Sequence, residues 1–233
     1  MTELAEIPLT RLALCFVPAL FVCYRLSVVT RTGRSALYAL SRMALQLSLV
    51  GYALVFVFAL SSPWPVLGVL TMMVVVASFI ALRPLKKPAR DRRWAMLLSL
   101  LCGPGSMLLL VTQFVLPQRT WYEPGFVIPL AGMIIAQTMN ALSVAAERYE
   151  RELAQSGRHD RAQGPAMTAG TISITNSLLA VGLVSLPGLM TGQILAGVSP
   201  LIAARYQIMV MCVLFGSSGI AISTYLYWLK RSS

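Results

Sequence analysis

Proline and glycine residues interrupt an otherwise apolar stretch of the chain over residues 182–197. Pro187 lacks a backbone N–H and disturbs the preceding turn of a helix, while Gly188 and Gly192 add flexibility. In lipid, the backbone carbonyls freed in this way need partners in protein or in a water-filled cavity. The pattern predicts a discontinuous helix that lines a pathway, or a kinked helix that packs against a neighbour through Gly188 and Gly192, and the two interpretations are compatible.

Met133 and the polar amides Gln137 and Asn140 recur on one face of another apolar stretch, with Pro129 near its entrance. Spacings of four and three residues place such side chains on the same face of a helix. A buried amide needs a hydrogen-bond partner, so these residues bind polar groups of a substrate or join neighbouring helices. The same two alternatives apply to five other amides: Gln46, Gln113, Asn176, Gln193 and Gln207.

The sequence lacks the residues that several kinds of chemistry require. No Asp or Glu lies in a long apolar stretch, so the carboxylates that usually move protons or hard cations through a membrane are missing. His159 is the one histidine, and no nucleophile with a base or glycine-rich phosphate cradle accompanies it. The four cysteines have no paired spacing, and the 12 methionines follow no pattern, which indicates packing. We therefore expect no enzyme and no cofactor, and we identify no metal site.

The composition predicts an all-α polytopic membrane protein. Of the 233 residues, 57% are hydrophobic and only 12% are charged, more apolar content than one soluble core of this length can bury. Stretches near the 20 or so residues that a helix needs to cross a bilayer recur along the chain. We predict a single transmembrane domain over residues 1–233, with seven spans: 7–29, 43–60, 65–82, 94–116, 126–146, 171–198 and 206–229.

The distribution of positive charge predicts the orientation of these spans. Most of the 19 Lys and Arg residues fall in the first, third and fifth connections and in the C-terminal tail. Short positively charged connections stay in the cytoplasm, so the N-terminus is expected outside and the C-terminus inside. The net charge of +11 is then a signal of topology and of attraction to anionic lipid, and we expect no binding of nucleic acid.

A polar cytoplasmic connection is predicted over about residues 147–170. Residues 147–152 alternate in charge sign with several close pairs, which favours a helical extension of the fifth span beyond the membrane. Further along, residues 156–170 are polar and contain Gly157, Gly164, Pro165 and Gly170, so the chain is expected to loop there before it re-enters the membrane.

Several segments carry a resemblance to a known family. The stretch GLVSLPGLMTGQILAGVSP at residues 182–200, followed by ARYQIMV at 204–210, resembles the signature of the FetB-type iron-export ABC permeases. IPLAGM at 128–133 with Met139-Asn140, and Gln46-Leu47 with Val50-Gly51-Tyr52, support it. That family includes bacterial proteins linked to iron export and plant relatives linked to aluminium tolerance and nucleotide-sugar movement.

The resemblance implies a permease in the plasma (inner) membrane that forms a homodimer and is driven by a separate cytoplasmic ATP-binding subunit. On this interpretation the candidate pathway residues are Pro129, Gly132, Met133, Gln137, Asn140, Ser185, Pro187, Gly188, Met190, Thr191, Gly192 and Gln193. Gln137 departs from the family, in which asparagine after glycine is frequent at this position.

The element that contacts the ATPase also departs from the family. Its members carry a longer amphipathic segment with Leu-Gly-Ala and a basic helix between the fifth and sixth spans, where this chain has only residues 152–175 without that motif. The candidate coupling residues are Arg148, Arg151, Leu153 and Arg158. A permease with altered coupling, a stand-alone carrier or channel, and a membrane scaffold without transport activity remain as alternatives.

Overall fold

The computed structural model describes residues 8–58, 62–85, 88–116 and 121–231, and its regular structure there is helical. Residue 7 of the first predicted span and residues 59 and 60 of the second lie outside this part. The helices are α1 (Leu9–Leu14), α2 (Phe16–Val29), α3 (Gly33–Phe58), α4 (Pro63–Ala81), α5 (Arg90–Leu110), α6 (Pro124–Ser156), α7 (His159–Ala180), α8 (Gly188–Leu195) and α9 (Pro200–Arg231). A π-helical turn, Val111–Val115, follows α5 directly.

Five helical segments of the described chain are long and apolar enough to cross a membrane. They are Thr10–Val29, Pro63–Ala81, Arg90–Val115, Pro124–Ser156 and Pro200–Arg231, and they coincide with the first, third, fourth, fifth and seventh predicted spans. The second predicted span lies within α3 as far as the structure describes it, and the sixth is broken. The all-helical class is confirmed, whereas the number of spans and their orientation stay predictions.

The chain divides into two compact units, Met1–Leu60 and Ser61–Ser233. In the first unit, α2 and α3 form a helical hairpin around a tight turn in which Arg31 adopts a φ of 58°. Gly33 begins α3 directly against Cys23 and Ser27, where a side chain would have no room. A glycine is therefore required for the two helices to meet at this turn.

Helix α6 is the centre of the second unit, because it packs against α4, α5, α7 and α9. Its buried face is rich in alanine, including Ala131, Ala141 and Ala145, and small side chains allow helices to approach closely. Inside this packing, the hydroxyl groups of Thr138 and Ser217 lie 2.7 Å apart and are fully buried. This hydrogen bond joins α6 to α9 and satisfies both hydroxyl groups in an apolar interior.

Two glycines of this unit lie where the backbones of two helices meet closely. A Cβ atom added to Gly103 on α5 would lie 2.6 Å from the backbone oxygen of Ser217 on α9. A Cβ atom added to Gly170 on α7 would lie 2.8 Å from the backbone oxygen of Ala141 on α6. Both distances are too short for carbon and oxygen, so the backbones of these helix pairs meet only because the side chain is absent.

The loop predicted over residues 156–170 is wrong, because only Gly157 and Arg158 separate α6 from α7. Gly157 ends α6 with a φ of +62°, and its N–H donates to the carbonyl of Leu153 at 2.9 Å. This left-handed glycine cap reverses the chain within two residues. Gly164 and Pro165 therefore lie inside α7, which packs along α6.

The helical continuation of the fifth predicted span is confirmed, because α6 continues to Ser156, whereas its exit from the membrane stays a prediction. Its charged run forms two ion pairs one turn apart within the helix. Arg148 pairs with Glu152 at 2.6 Å, and Arg151 pairs with Glu147. Pairs of opposite charge at this spacing stabilise a helix that extends into solvent.

Candidate functional site

The predicted interruption of the sixth span is confirmed. Helix α7 ends at Ala180, and a tight turn follows in which the N–H of Val184 donates to the carbonyl of Ala180 at 2.8 Å. Gly182, at a φ of +87°, donates its N–H to the carbonyl of Ser185 at 2.9 Å. A left-handed residue closes this turn, and glycine is the residue that adopts such a φ without strain.

Pro187 stands at the start of α8 instead of inside a longer helix. Its carbonyl accepts hydrogen bonds from the backbone N–H of Thr191 at 3.0 Å and from the Thr191 hydroxyl at 3.1 Å. Helix α8 spans only eight residues, and a second left-handed glycine, Gly197 at a φ of +89°, precedes α9. The segment between α7 and α9 therefore has two breaks in the helical backbone within 20 residues, at 181–187 and 196–199, one on each side of the short helix α8.

Most of the predicted pathway residues in this segment are open to their surroundings. Ser185, Gly188, Thr191 and Gly192 are exposed, and a Cβ atom added to either glycine would meet no other atom within 4 Å. Pro187, Met190 and Gln193 are half-buried. The small residues here serve no close helix contact among the described residues, unlike Gly103 and Gly170.

Two buried amide oxygens near α8 lack a hydrogen-bond partner among the described residues. They are the Oε1 atoms of Gln193 on α8 and of Gln207 on α9, and the Gln207 side chain is almost fully buried. An acceptor left unpaired in the interior costs about 1–3 kcal/mol. Each unpaired buried polar group in a folded protein needs an explanation, such as an ordered water, a bound ion or a catalytic role.

The predicted pathway residues of the fifth span lie on and beside the exposed face of α6. Pro129 and Asn140 are exposed, and Gln137 is half-buried. Gly132 faces Met73 on α4, and Met133 packs against a buried cluster formed by Val111, Leu130, Ile134, Val210 and Val213. Leu189 of α8 packs against the same cluster. The two predicted regions therefore meet at one apolar cluster.

A groove of about 360 Å³ runs between the end of α7, the interruption and α9. We call it the α7–α9 groove. Leu178, Val181, Leu186 and Ile208 give it apolar walls, and Met190 is the one predicted pathway residue that lines it. Its remaining lining residues are Gly182, Ala204, Gln207, Met211 and Cys212. Sequence reasoning treated the methionines and cysteines as packing residues and did not bring Met190, Gln207, Met211 and Cys212 together.

A second cavity, of about 640 Å³, lies at the start of α5 beside α6 and is lined by charged residues. There Arg92 forms a bidentate ion pair with Glu150, and its Nη2 atom lies 3.0 Å from Oε2 of Glu150. Next to Glu150, the buried Tyr149 places its hydroxyl 2.6 Å from Nδ1 of His159 on α7. These contacts connect α5, α6 and α7 around one point, and sequence reasoning missed them because Arg92 and Glu150 are 58 residues apart.

The predicted coupling residues surround the turn between α6 and α7. Arg148 and Arg151 are engaged in the ion pairs of α6, Leu153 packs against the main apolar core, and Arg158 is exposed at the start of α7. At the same end, Lys230 Nζ donates to Asp160 Oδ1 at 2.8 Å, and this hydrogen bond lowers the pKa of the Asp160 carboxyl. The α6–α7 hairpin is thereby linked to the end of α9.

The chain matches the model of a known protein family. The model of the family described as "Uncharacterised protein family (UPF0014)" matches residues 9–160 and 159–233. A UPF0014 membrane protein of Synechocystis sp. is 37% identical over 190 residues, which cover 75% of this chain and 73% of that protein.

Two further relatives carry more specific names. "Protein ALUMINUM SENSITIVE 3" of Arabidopsis thaliana is 34% identical over 211 residues, covering 82% of this chain and 75% of that protein. "Probable iron export permease protein FetB" of Escherichia coli is 27% identical over 214 residues, covering 84% and 81%. No solved structure matches the chain.

Proposed function

Because the chain belongs to the UPF0014 family, as its resemblance to the FetB-type permeases indicates, we propose that it is the membrane-spanning subunit of an ATP-driven exporter. ATP hydrolysis takes place on a separate cytoplasmic chain, and iron is the first cargo to consider because one relative is named a probable iron export permease. The permease acts as a homodimer in the plasma membrane, with seven spans, the N-terminus outside and the C-terminus in the cytoplasm.

The interruption between α7 and α9 is the observation that carries this proposal. Non-helical backbone at membrane depth is tolerated where protein covers it or where it lines a cavity that admits water. Here the breaks coincide with exposed Gly188, Thr191 and Gly192 and with the unpaired oxygens of Gln193 and Gln207. Polar backbone, open small residues and unsatisfied amides in one segment are what a route for a polar cargo needs.

The α6–α7 hairpin supplies a rigid link between the ATPase and this segment. Helix α6 has 33 residues and is about 50 Å long, which exceeds the roughly 30 Å of a hydrocarbon core, so its end extends into the cytoplasm. Helix α7 then runs from His159 at the tip to Ala180 at the interruption. A movement imposed on the tip, at Arg148, Arg151, Leu153 or Arg158, therefore reaches the interruption through one continuous helix. On this account, the α6–α7 hairpin takes the coupling role that a longer segment has in the family.

Reconstitution tests the proposal. The chain is incorporated into proteoliposomes with its candidate ATPase, and release of Fe²⁺, other metal ions and nucleotide sugars is measured with and without ATP. We expect flux that requires ATP and that disappears when the phosphate-binding lysine of the ATPase is replaced.

The other outcomes identify the alternatives. Flux that needs no ATP would indicate a stand-alone carrier or channel. A complex that assembles but moves none of these solutes under any condition would indicate a scaffold and would refute the transport assignment. The ion pair of Arg92 with Glu150 lies beside the hairpin and outside the interruption. A change at this ion pair therefore tests coupling separately from the route of the cargo.

A further inference from the structure

We propose that a groove between α4 and α5 binds one anionic phospholipid, with its phosphate on Arg90 and Arg93 and part of an acyl chain along the apolar walls. We call it the α4–α5 groove. Its volume is about 300 Å³, and its lining residues are Val75, Ser78, Phe79, Leu82, Arg90, Arg93, Trp94 and Leu97. The proposal requires that the chain lies in a membrane, and it depends neither on transport nor on an ATPase.

The two helices contribute matching faces to this groove. Residues 75, 78, 79 and 82 lie at and just beyond the end of α4, and residues 90, 93, 94 and 97 lie at the start of α5. Both sets follow the spacing i, i+3, i+4 and i+7, which is one face of a helix. A helix rises about 10 Å over seven residues, so the groove follows both helices for about that distance.

The groove is charged at one end and apolar along the rest. Arg90 begins the candidate membrane span Arg90–Val115, and Arg93 lies one turn further. Beyond them the walls are apolar, with Leu97 on α5 and Phe79 on α4. The hydroxyl of Ser78 donates to the carbonyl of Val75 at 2.7 Å, so the polar group in this wall is satisfied within α4. A phospholipid has the same division, because its phosphate lies at the membrane surface and its hydrocarbon lies beneath.

The two arginines at the charged end are available to an anion. Both are exposed, and neither pairs with a carboxylate among the residues that the structure describes. Arg92, which lies between them in the sequence, is held by Glu150 instead. The Nε atom of Arg93 donates to the carbonyl of Pro88 at 3.3 Å, and this hydrogen bond orients the guanidinium. Guanidinium groups bind phosphate oxygens in a bidentate geometry.

The lining favours an anionic headgroup over a zwitterionic one. No carboxylate is among the described residues that line the groove, so the ammonium group of a zwitterionic lipid would meet two guanidinium groups without a counter-charge. Asp91, the acidic residue next to Arg90, lines a different groove with Tyr227, Trp228 and Arg231. The exposed Trp94 adds an aromatic ring of the kind that is enriched at the level of lipid headgroups.

The test measures quenching of Trp94 fluorescence by phospholipids whose acyl chains carry bromine. Trp64, Trp121 and Trp228 are replaced by phenylalanine in the full chain, which is then incorporated into vesicles that mix phosphatidylglycerol with phosphatidylcholine. Brominating one lipid or the other gives their relative affinities beside Trp94. We expect phosphatidylglycerol to bind about tenfold more tightly. Inorganic phosphate, added at constant ionic strength, is expected to leave the quenching unchanged, because it has no acyl chain to occupy the groove.

The variant Arg90→Gln with Arg93→Gln is expected to reduce the preference for phosphatidylglycerol to about twofold or less. Both side chains are exposed and outside the ion pairs of the described chain, so the fold tolerates the change, and helical circular dichroism checks it. The matched control is Arg34→Gln with Arg161→Gln, which removes the same charge from exposed residues that do not line the groove. We expect this control to keep the full preference.

A second control moves the probe instead of the charge. With Trp64 as the single tryptophan, at the opposite end of α4, we expect a preference of about twofold or less, because the α4–α5 groove does not extend there.

Four results would overturn the proposal. They are equal quenching of Trp94 by the two lipids, a preference that survives the loss of Arg90 and Arg93, the same preference at Trp64 as at Trp94, and loss of quenching on addition of inorganic phosphate. The last result would assign the arginines to a soluble anion. None of these measurements involves ATP or flux, so the lipid site and the proposed exporter are tested separately.

Discussion

Gly170→Leu is expected to separate α7 from α6 and to lower the free energy of unfolding by about 3 kcal/mol. A side chain at this position meets the backbone oxygen of Ala141 at 2.8 Å and the Cβ of Ala145 at 2.8 Å. Backbone atoms within a helix cannot move aside as the end of a flexible side chain does, so the two helices must part. The measurement is unfolding in detergent, followed by helical circular dichroism against increasing denaturant.

Gly164→Leu is the control for this effect. Gly164 lies on the same helix, is exposed, and has no atom within 4 Å of an added Cβ. Leucine also favours helix over glycine, so we expect this variant to unfold at the same or a higher denaturant concentration. Equal destabilisation by both variants would show that α7 does not pack on α6 through Gly170.

Gly192→Trp is expected to leave the stability of the chain unchanged and to reduce ATP-dependent flux by about tenfold or more. Nothing lies within 4 Å of an added Cβ at this exposed glycine, so the fold has room for the larger side chain. In the proposed route, the same side chain fills the space through which the cargo passes. The measurement pairs the unfolding curve of the variant with its flux in proteoliposomes that contain the ATPase.

The control is Gly68→Trp on α4, which is equally open and exposed but lies outside the interruption. We expect it to retain both stability and flux. Full flux in Gly192→Trp would remove this segment from the route, and an equal loss of flux in both variants would attribute the effect to the added tryptophan alone.

The sequence predicted the helices well where one signal dominated. Long apolar stretches marked five segments that the structure makes helical, and the charge pairs of residues 147–152 predicted the extension of α6. Pro187 with Gly188 predicted the interruption because a proline lacks the N–H that a continuous helix needs. Each of these signals acts within a few residues along the chain.

The loop over residues 156–170 failed as a prediction because a tertiary contact overrode local signals. Gly164 and Pro165 usually indicate a turn, yet both lie inside α7. Gly170 and the buried alanines Ala162 and Ala166 let α7 lie directly against α6, and that packing favours the helix over a loop. Only Gly157, with its left-handed φ, acts as the turn signal that the sequence suggested.

The candidate site could be predicted only in part, because some of its residues are contiguous and others come from helices that are distant in sequence. Residues 182–193 are contiguous, so their unusual composition was visible directly. The grouping of Met190 with Gln207, Met211 and Cys212, and the ion pair of Arg92 with Glu150, require helices distant in sequence to lie side by side. Helical periodicity shows which residues share a face, but it does not show which face meets which neighbour.

The most direct test of the transport account is the water accessibility of Thr191. A Thr191→Cys variant, with the four native cysteines replaced by serine, is labelled in proteoliposomes with a membrane-impermeant maleimide applied from either side. The account predicts labelling from one side without nucleotide and a change of side when the ATPase binds ATP. A cysteine at this position that reacts only with lipid-soluble reagents, in every state of the complex, would place the interruption against hydrocarbon and contradict the account.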